Sequence, residues 1–150
     1  MNTTVVVLNG PNMDQLGRRE PEIYGGRTYE DLVCLCESEG RSRGWSVRCL
    51  QSAHEGDLVD WVHAAQKDAV ALIINAAAYT HTSVALRDAV ACLTIPVVEI
   101  HVTNPHARED FRQRNLLRDV VTATIAGFGL DGYALAFAGV ASLLTEADNP

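Results

Sequence analysis

Five short apolar runs, each followed by a stretch with helical spacing, constrain what this chain can fold into more than any other feature. The runs are Thr4–Leu8, Trp45–Leu50, Val70–Ile74, Ile95–Ile100 and Val121–Ala126. The first and third, "TVVVL" and "VALII", are apolar without alternation, as expected of strands covered on both faces. Between and after the runs, the spacing predicts helices over 28–40, 56–69, near 81–93, near 108–118 and over 131–144, the last with Asp131 as its N-cap. Tyr29, Leu32, Val33 and Cys36 share one face of the first helix, which ends at Gly40. Leu58, Val62, Ala65 and Ala69 line the second. Strands alternating with helices predict an α/β fold whose parallel sheet is covered on both sides. At 150 residues this suits a flavodoxin-like three-layer sandwich, with five strands in the order 2-1-3-4-5, as a single domain over 1–150. Residues 145–150 read as a frayed tail. Ligands of such sheets sit beyond the carboxyl ends of the strands, which directs attention to loops 9–27, 75–81 and 101–107. The first is the outlier, because loops of that length are uncommon and often functional.

Composition excludes several occupants of these loops. A net charge of −7 disfavours nucleic acid and anionic membranes as partners, but not a small anion held by a few placed cations. Arginine supplies 11 of the 12 cations. Lys67 is the only lysine, late in a helix beside Asp68, so Schiff-base chemistry has no good candidate. Cys34, Cys36, Cys49 and Cys92 form no CxxC pair and read as reduced thiols rather than zinc ligands or disulfides. The five histidines show no metal-ligand grouping. GxxxxGK[ST] and GxGxxG are both missing, and Asn9 and Asn75 stand where a phospho-receiver needs acidic groups. Residues 120–144 are the most membrane-like, yet Asp131 and three nearby glycines break them, so no span is expected. The first residues lack the basic and long apolar regions of a signal peptide, and the expected location is cytoplasmic.

The loops do contain chemistry. In "VVEIHVTNPHARE", Glu99 and His101 are two apart on a strand and point to the same side. A carboxylate there can fix an imidazole's tautomer and make it a general acid or base, unless the two are only a surface pair at a strand end. Val102 and Thr103 beyond them offer successive backbone N–H groups to an anion. In "INAAAYTHTSVALRDAV", Asn75 ends a strand and His81 starts a helix, facing the same crevice. Asp88 falls seven residues later on the same helix face, about 10 Å further on. It is either a solvated helix residue or one that reaches a neighbouring subunit. In the first loop, Arg18 and Arg19 lie near Tyr24, which is either a packed residue pinning the loop or a base. Bringing a tyrosine's pKa towards neutrality takes roughly 4 kcal/mol, within the reach of partly desolvated guanidiniums.

The stretches "LNGPN", "LGRREPEIYG", "HEGDLVDWVH", "INAAAYTHTSVALRDA" and "EIHVTNPHARE", the last followed closely by Phe111-Arg112, together resemble the type II 3-dehydroquinate dehydratases over residues 5–112. The resemblance implies reversible dehydration of 3-dehydroquinate to 3-dehydroshikimate through an enolate, without metal or cofactor. The step would serve aromatic biosynthesis or quinate breakdown. It implies a flavodoxin-like subunit in a dodecamer of trimers. It makes residues 10–26 an active-site lid, Tyr24 the base and Arg19 the lid arginine that activates it. Asn12 matches the group that holds the enolate oxygen through water, and His101 the general acid, oriented by Glu99. Asn75, His81 and Arg112 match contacts to substrate hydroxyls, and Val102 and Thr103 the amides that receive its carboxylate. Asp88 matches a residue contributed across the trimer interface. Three departures stand out: Met13-Asp14-Gln15 where Leu-Asn-Leu is commoner, Arg18 where threonine is common, and Ala53 before "HEG". Against the lyase stand an anion-binding module of the same fold and a silent oligomeric relative. The absent nucleotide fingerprints weigh against the first, and the intact Tyr24, Arg19 and His101 against the second.

Overall fold

Residues alternate across a strand, so Val5 and Val7 face one side of the first strand and Val6 and Leu8 the other. All four are completely buried. Burial of each such side chain is worth about 1.5–3 kcal/mol, which fixes this strand at the centre of the fold. The computed structural model describes residues 2–18, 20–24 (of Tyr24 the backbone alone) and 26–149. In it β1 (Thr4–Asn9) pairs on one side with β2 (Ser46–Gln51) and on the other with β3 (Ala71–Asn75). β4 (Val97–His101) and β5 (Ala123–Ala126) follow. Every pairing is parallel and the order is β2-β1-β3-β4-β5, as expected. The strand order reverses between β1 and β3, whose last residues, Asn9 and Asn75, stand opposite each other.

Within the long first loop lie a 3-10 turn (Met13–Gln15) and the short α1 (Pro21–Tyr24). One face of the sheet is covered by α2 (Tyr29–Arg41), through Leu32 and Cys36, and by a final long helix through Tyr133, Phe137 and Val140. The other is covered by α3 (Glu55–Asp68), through Leu58 and Val62, and α4 (Val84–Ala91), through Leu86 and Val90. The final helix is α5 (Asp131–Asp148). Thr28 and Asp31 form a reciprocal capping box at the start of α2. Near its end Gly40 serves close packing rather than termination, since a Cβ there would collide with Val47.

Four expectations need correction. No α-helix forms near 108–118; the chain makes 3-10 turns over Pro105–Ala107 and Asp110–Gln113. Side chains take the backbone's partners there: Asn115 Oδ1 accepts from the N–H groups of Leu117 and Arg118, and Gln113 Nε2 donates to the Pro105 carbonyl. The helix expected near 81–93 starts at Val84, where the Ser83 hydroxyl accepts from Leu86 N–H. His81 ends a separate 3-10 turn (Ala77–His81), so it and Asp88 share no helix face. Asp131 sits inside the first turn of α5 rather than at its cap, paired with Arg27 at 3.0 Å. Finally, α5 continues through most of the expected tail to Asp148, with Leu143 and Leu144 still packed on the core.

Candidate active site

At the carboxyl end of the sheet β1 and β3 pinch together. Gly10 N–H donates to the Asn75 carbonyl at 2.8 Å, and any Cβ on Gly10 would collide with the Ala76 carbonyl. Two residues on, Asn12 adopts a left-handed conformation (φ 68°), makes no side-chain cap to the following turn, and lines the cleft. Across it Ala77 is also left-handed (φ 52°), a strain of about 1–2 kcal/mol for a non-glycine residue. Its N–H donates to Asn75 Oδ1 at 3.1 Å, so the asparagine side chain holds the strained turn. His81 follows, its Nδ1 2.6 Å from the Arg114 carbonyl oxygen.

These loops and the end of β4 enclose one cleft, lined by Asn12, Met13, Asn75, His81, His101, Val102, Thr103, Arg108 and Arg112. Seven of the residues singled out from the sequence therefore meet in one place. Glu99 stands directly behind His101, and Asp88 lies on α4, exposed beside Arg87 and outside the cleft lining. Arg19 and the Tyr24 side chain lie outside the described residues.

Glu99 is completely buried. Burial alone would raise its pKa, yet contacts from His101, Asn115 and Thr124 outweigh that and hold it below the usual carboxylate range. Asn115 Nδ2 donates to both carboxylate oxygens at 3.0 and 3.1 Å, and Thr124 Oγ1 donates at 3.2 Å. His101 Nε2 lies 3.2 Å from Glu99 Oε2, within ion-pair distance for a protonated imidazole but without the alignment of a hydrogen bond. The result is a charged carboxylate gripped from β5 and the β4–β5 crossover, with an imidazole between it and the cleft.

On the opposite wall Arg112 Nε sits 2.6 Å from Glu109 and its guanidinium 5.0 Å from the centre of the Phe111 ring. Arg108 donates to Thr103 Oγ1 at 3.4 Å. Both guanidiniums are mostly buried, and arginine keeps its charge there.

A second buried network, built from two carboxamides and a phenol, lies on the α2/α5 face. Asn75 Nδ2 donates to Tyr133 Oη at 3.0 Å and approaches Met13 Sδ at 3.4 Å. Tyr133 Oη donates to Asn9 Oδ1 at 2.7 Å, and Asn9 Nδ2 donates to the Leu50 carbonyl at 3.2 Å and towards Cys49 Sγ at 3.6 Å. Burial pushes the Tyr133 phenol well above its ordinary pKa, so it stays a donor.

Sequence reasoning missed Arg108, Asn115, Thr124, Asn9 and Tyr133. Arg108 had a signal, four residues before Arg112 in the same polar loop. Tyr133 had none beyond its place in an apolar helix. The arrangement supplies an acid or base backed by a carboxylate, two cations for an anion, and amides for hydroxyl or carbonyl oxygens. Among the described residues no three His, Cys, Asp or Glu side chains gather as metal ligands. Lys67 is exposed at the end of α3.

Residues 3–141 match the family model described as Dehydroquinase class II. The chain is 48% identical over 147 residues to a 3-dehydroquinate dehydratase of Rhizobium meliloti (strain 1021), covering 98% of this chain and 99% of that one. It is 52% identical over 136 residues to the corresponding protein of Rhizobium johnstonii, covering 91% and 94%. Its structure superposes with a TM-score of 0.91 on the type II dehydroquinase from Butyrivibrio crossotus DSM 2876, at 38% identity and covering 93% and 98%.

Proposed function

The chain belongs to the class II dehydroquinase family, and from that premise we propose that it is a 3-dehydroquinate dehydratase working by anti elimination through an enolate. Tyr24 removes a proton from C2 of the substrate, and the electron pair moves into the C3 carbonyl to give the enolate. Collapse of the enolate forms the C1–C2 double bond and expels the C1 hydroxyl, which takes a proton from His101 and leaves as water. Arg19 lowers the cost of ionising Tyr24 and Asn12 serves the enolate oxygen. The N–H groups of Val102 and Thr103 receive the carboxylate, while Asn75, His81 and Arg112 meet ring hydroxyls. No step in this sequence draws on a metal or an organic cofactor.

The observation that carries this reading is the ionised, triply held Glu99 directly behind His101 at a cleft walled by two arginines. A carboxylate so placed orients an imidazole as a general acid. Incubation with 3-dehydroquinate is expected to produce the ultraviolet absorbance of a conjugated enone. No rise at any protein concentration sinks the activity. Tyr24→Phe is expected to abolish turnover while product still binds, and full activity in that variant removes Tyr24 as base.

The proposal extends to a dodecamer of trimers in which Asp88 serves a neighbour's cleft. Its support is an α4 surface where Val84 is 55% exposed and the Asp88 side chain 68%. Light scattering on the native protein and on Asp88→Ala tests this; a monomer with full activity refutes it. Among the described residues no helix is long and apolar enough to cross a membrane, and all four cysteines are free thiols, in keeping with a reducing cytoplasm. Aromatic biosynthesis and quinate breakdown would both draw on this same step.

A further inference from the structure

The neutral network has a direction, and the direction starts from a group that cannot turn round. The Leu50 carbonyl can only accept, so Asn9 must present its Nδ2 to it and its Oδ1 to the other side, where Tyr133 stands. Tyr133 must then donate its single proton to Asn9, which leaves the phenol oxygen as an acceptor for Asn75. Asn75 accordingly turns its amide nitrogen inward. There one proton goes to Tyr133 and the other towards the Met13 sulfur, so Nδ2 has nothing left to donate. Oδ1 takes the Ala77 N–H and keeps one acceptor site. Because Asn75 lines the cleft, that remaining lone pair is all its side chain offers a ligand.

We propose that Tyr133 is a positioning residue that locks the Asn75 carboxamide with its oxygen towards the cleft, so that this point of the site reads a hydroxyl and rejects an acceptor. Met13 reinforces the lock by occupying the second amide proton. With leucine at that position the second amide proton would lose its acceptor and the lock would rest on Tyr133 and the Ala77 N–H alone. The Tyr133 phenol never touches the substrate. Together with the Ala77 N–H, it sets which end of another side chain the substrate meets, by passing the polarity of a β2 carbonyl through three hydrogen bonds. The two acceptors around Asn75 Nδ2, the Tyr133 phenol and the Met13 thioether, are both uncharged.

This inference rests on the proposed activity for the choice of ligand. Its test compares binding of 3-dehydroshikimate with that of its 4-deoxy and 5-deoxy derivatives, alongside turnover of 3-dehydroquinate, in the native protein, Tyr133→Phe and Met13→Leu. In Tyr133→Phe the parent compound is expected to bind about tenfold more weakly, the size of one lost neutral hydrogen bond, with KM rising and kcat changing less. The derivative lacking the hydroxyl that Asn75 meets is expected to bind both proteins equally. Met13→Leu, nearly isosteric and so expected to fold, shifts the same comparison in the same direction by about two- to threefold. Equal losses for the parent and both deoxy compounds, or a fall in kcat alone, overturn the positioning role while leaving the activity intact. Native protein that neither turns over 3-dehydroquinate nor binds 3-dehydroshikimate overturns the activity itself, and the inference falls with it.

Discussion

Two buried polar networks meet at the same edge of the sheet, one on each face, and they differ in the one property that matters for chemistry. On the α3/α4 face Glu99 is charged, and its partners Asn115 and Thr124 stabilise that charge beside His101. On the α2/α5 face Asn9, Tyr133 and Asn75 are neutral, and burial keeps the phenol protonated. The charged network can exchange a proton with what occupies the cleft. The neutral one can only aim. A buried polar group is expensive unless satisfied; the Glu99 carboxylate and the Asn9 and Asn75 carboxamides all have partners, and under the proposed mechanism the two networks answer two different needs of one reaction.

The comparison breaks first at His101. His101→Ala is expected to lower kcat by about 10²–10⁴-fold in a steady-state assay with little change in KM, as loss of a general acid should. A loss under threefold would put the acid elsewhere. Next, Glu99→Gln is expected to cost about 10–100-fold in kcat and to change the acid limb of stability. The Glu99 pKa is depressed on folding, so its contribution is complete above the ordinary carboxylate value near 4.5 and is lost as pH falls through the folded value. Melting temperature should therefore fall more steeply below about pH 4.5 in the native protein than in Glu99→Gln; parallel curves argue against an ionised Glu99.

Asn115→Ala should cost about tenfold in kcat by loosening the same carboxylate. Tyr133→Phe sharpens the contrast from the other side. It is expected to lose about 1–2 kcal/mol in denaturant titrations, by an amount that stays constant between about pH 5 and 9. Folding raises the Tyr133 pKa, so its contribution is complete below the unfolded value near 10 and is lost only as pH rises above it. The smallest effect belongs to a pair outside both networks. Breaking the exposed Arg27–Asp131 bridge with Arg27→Ala should change stability by about 0–1 kcal/mol and leave kcat untouched.

The charged network was half legible in the sequence and the neutral one scarcely at all. Glu99 and His101 announce themselves because strand alternation puts residues two apart on one side, and a charge in an apolar strand calls for a reason. Asn115 lies where arginines and leucines at helical spacing suggest a helix. It instead spends its carboxamide on Leu117, Arg118 and Glu99, a choice that depends on a strand 16 residues away. Tyr133 reads as one more apolar residue of a closing helix, since periodicity reports which face is buried and not what a hydroxyl reaches there. Asn9 was noticed only for what it was not, an acid of a receiver domain, whereas Asn75 was read as a residue of the crevice but not as a partner of Asn9. Their pairing across β1 and β3 follows from register, which local sequence does not contain. The strand order, by contrast, follows from length and alternation, because few parallel topologies satisfy right-handed crossovers at this size.

The β4–β5 crossover, which makes 3-10 turns where a helix was expected, has a consequence for how the molecule breathes. Its N–H groups answer to side chains, to the carbonyls of isolated turns or, as Leu116 does to Thr80, to a single distant carbonyl, rather than to a repeating ladder. A ladder opens as a unit, whereas isolated bonds open one at a time and at lower cost. In native-state hydrogen exchange this crossover should lose its protons well before β1 or β3, so one wall of the cleft, carrying Arg108 and Arg112, fluctuates against a floor that does not.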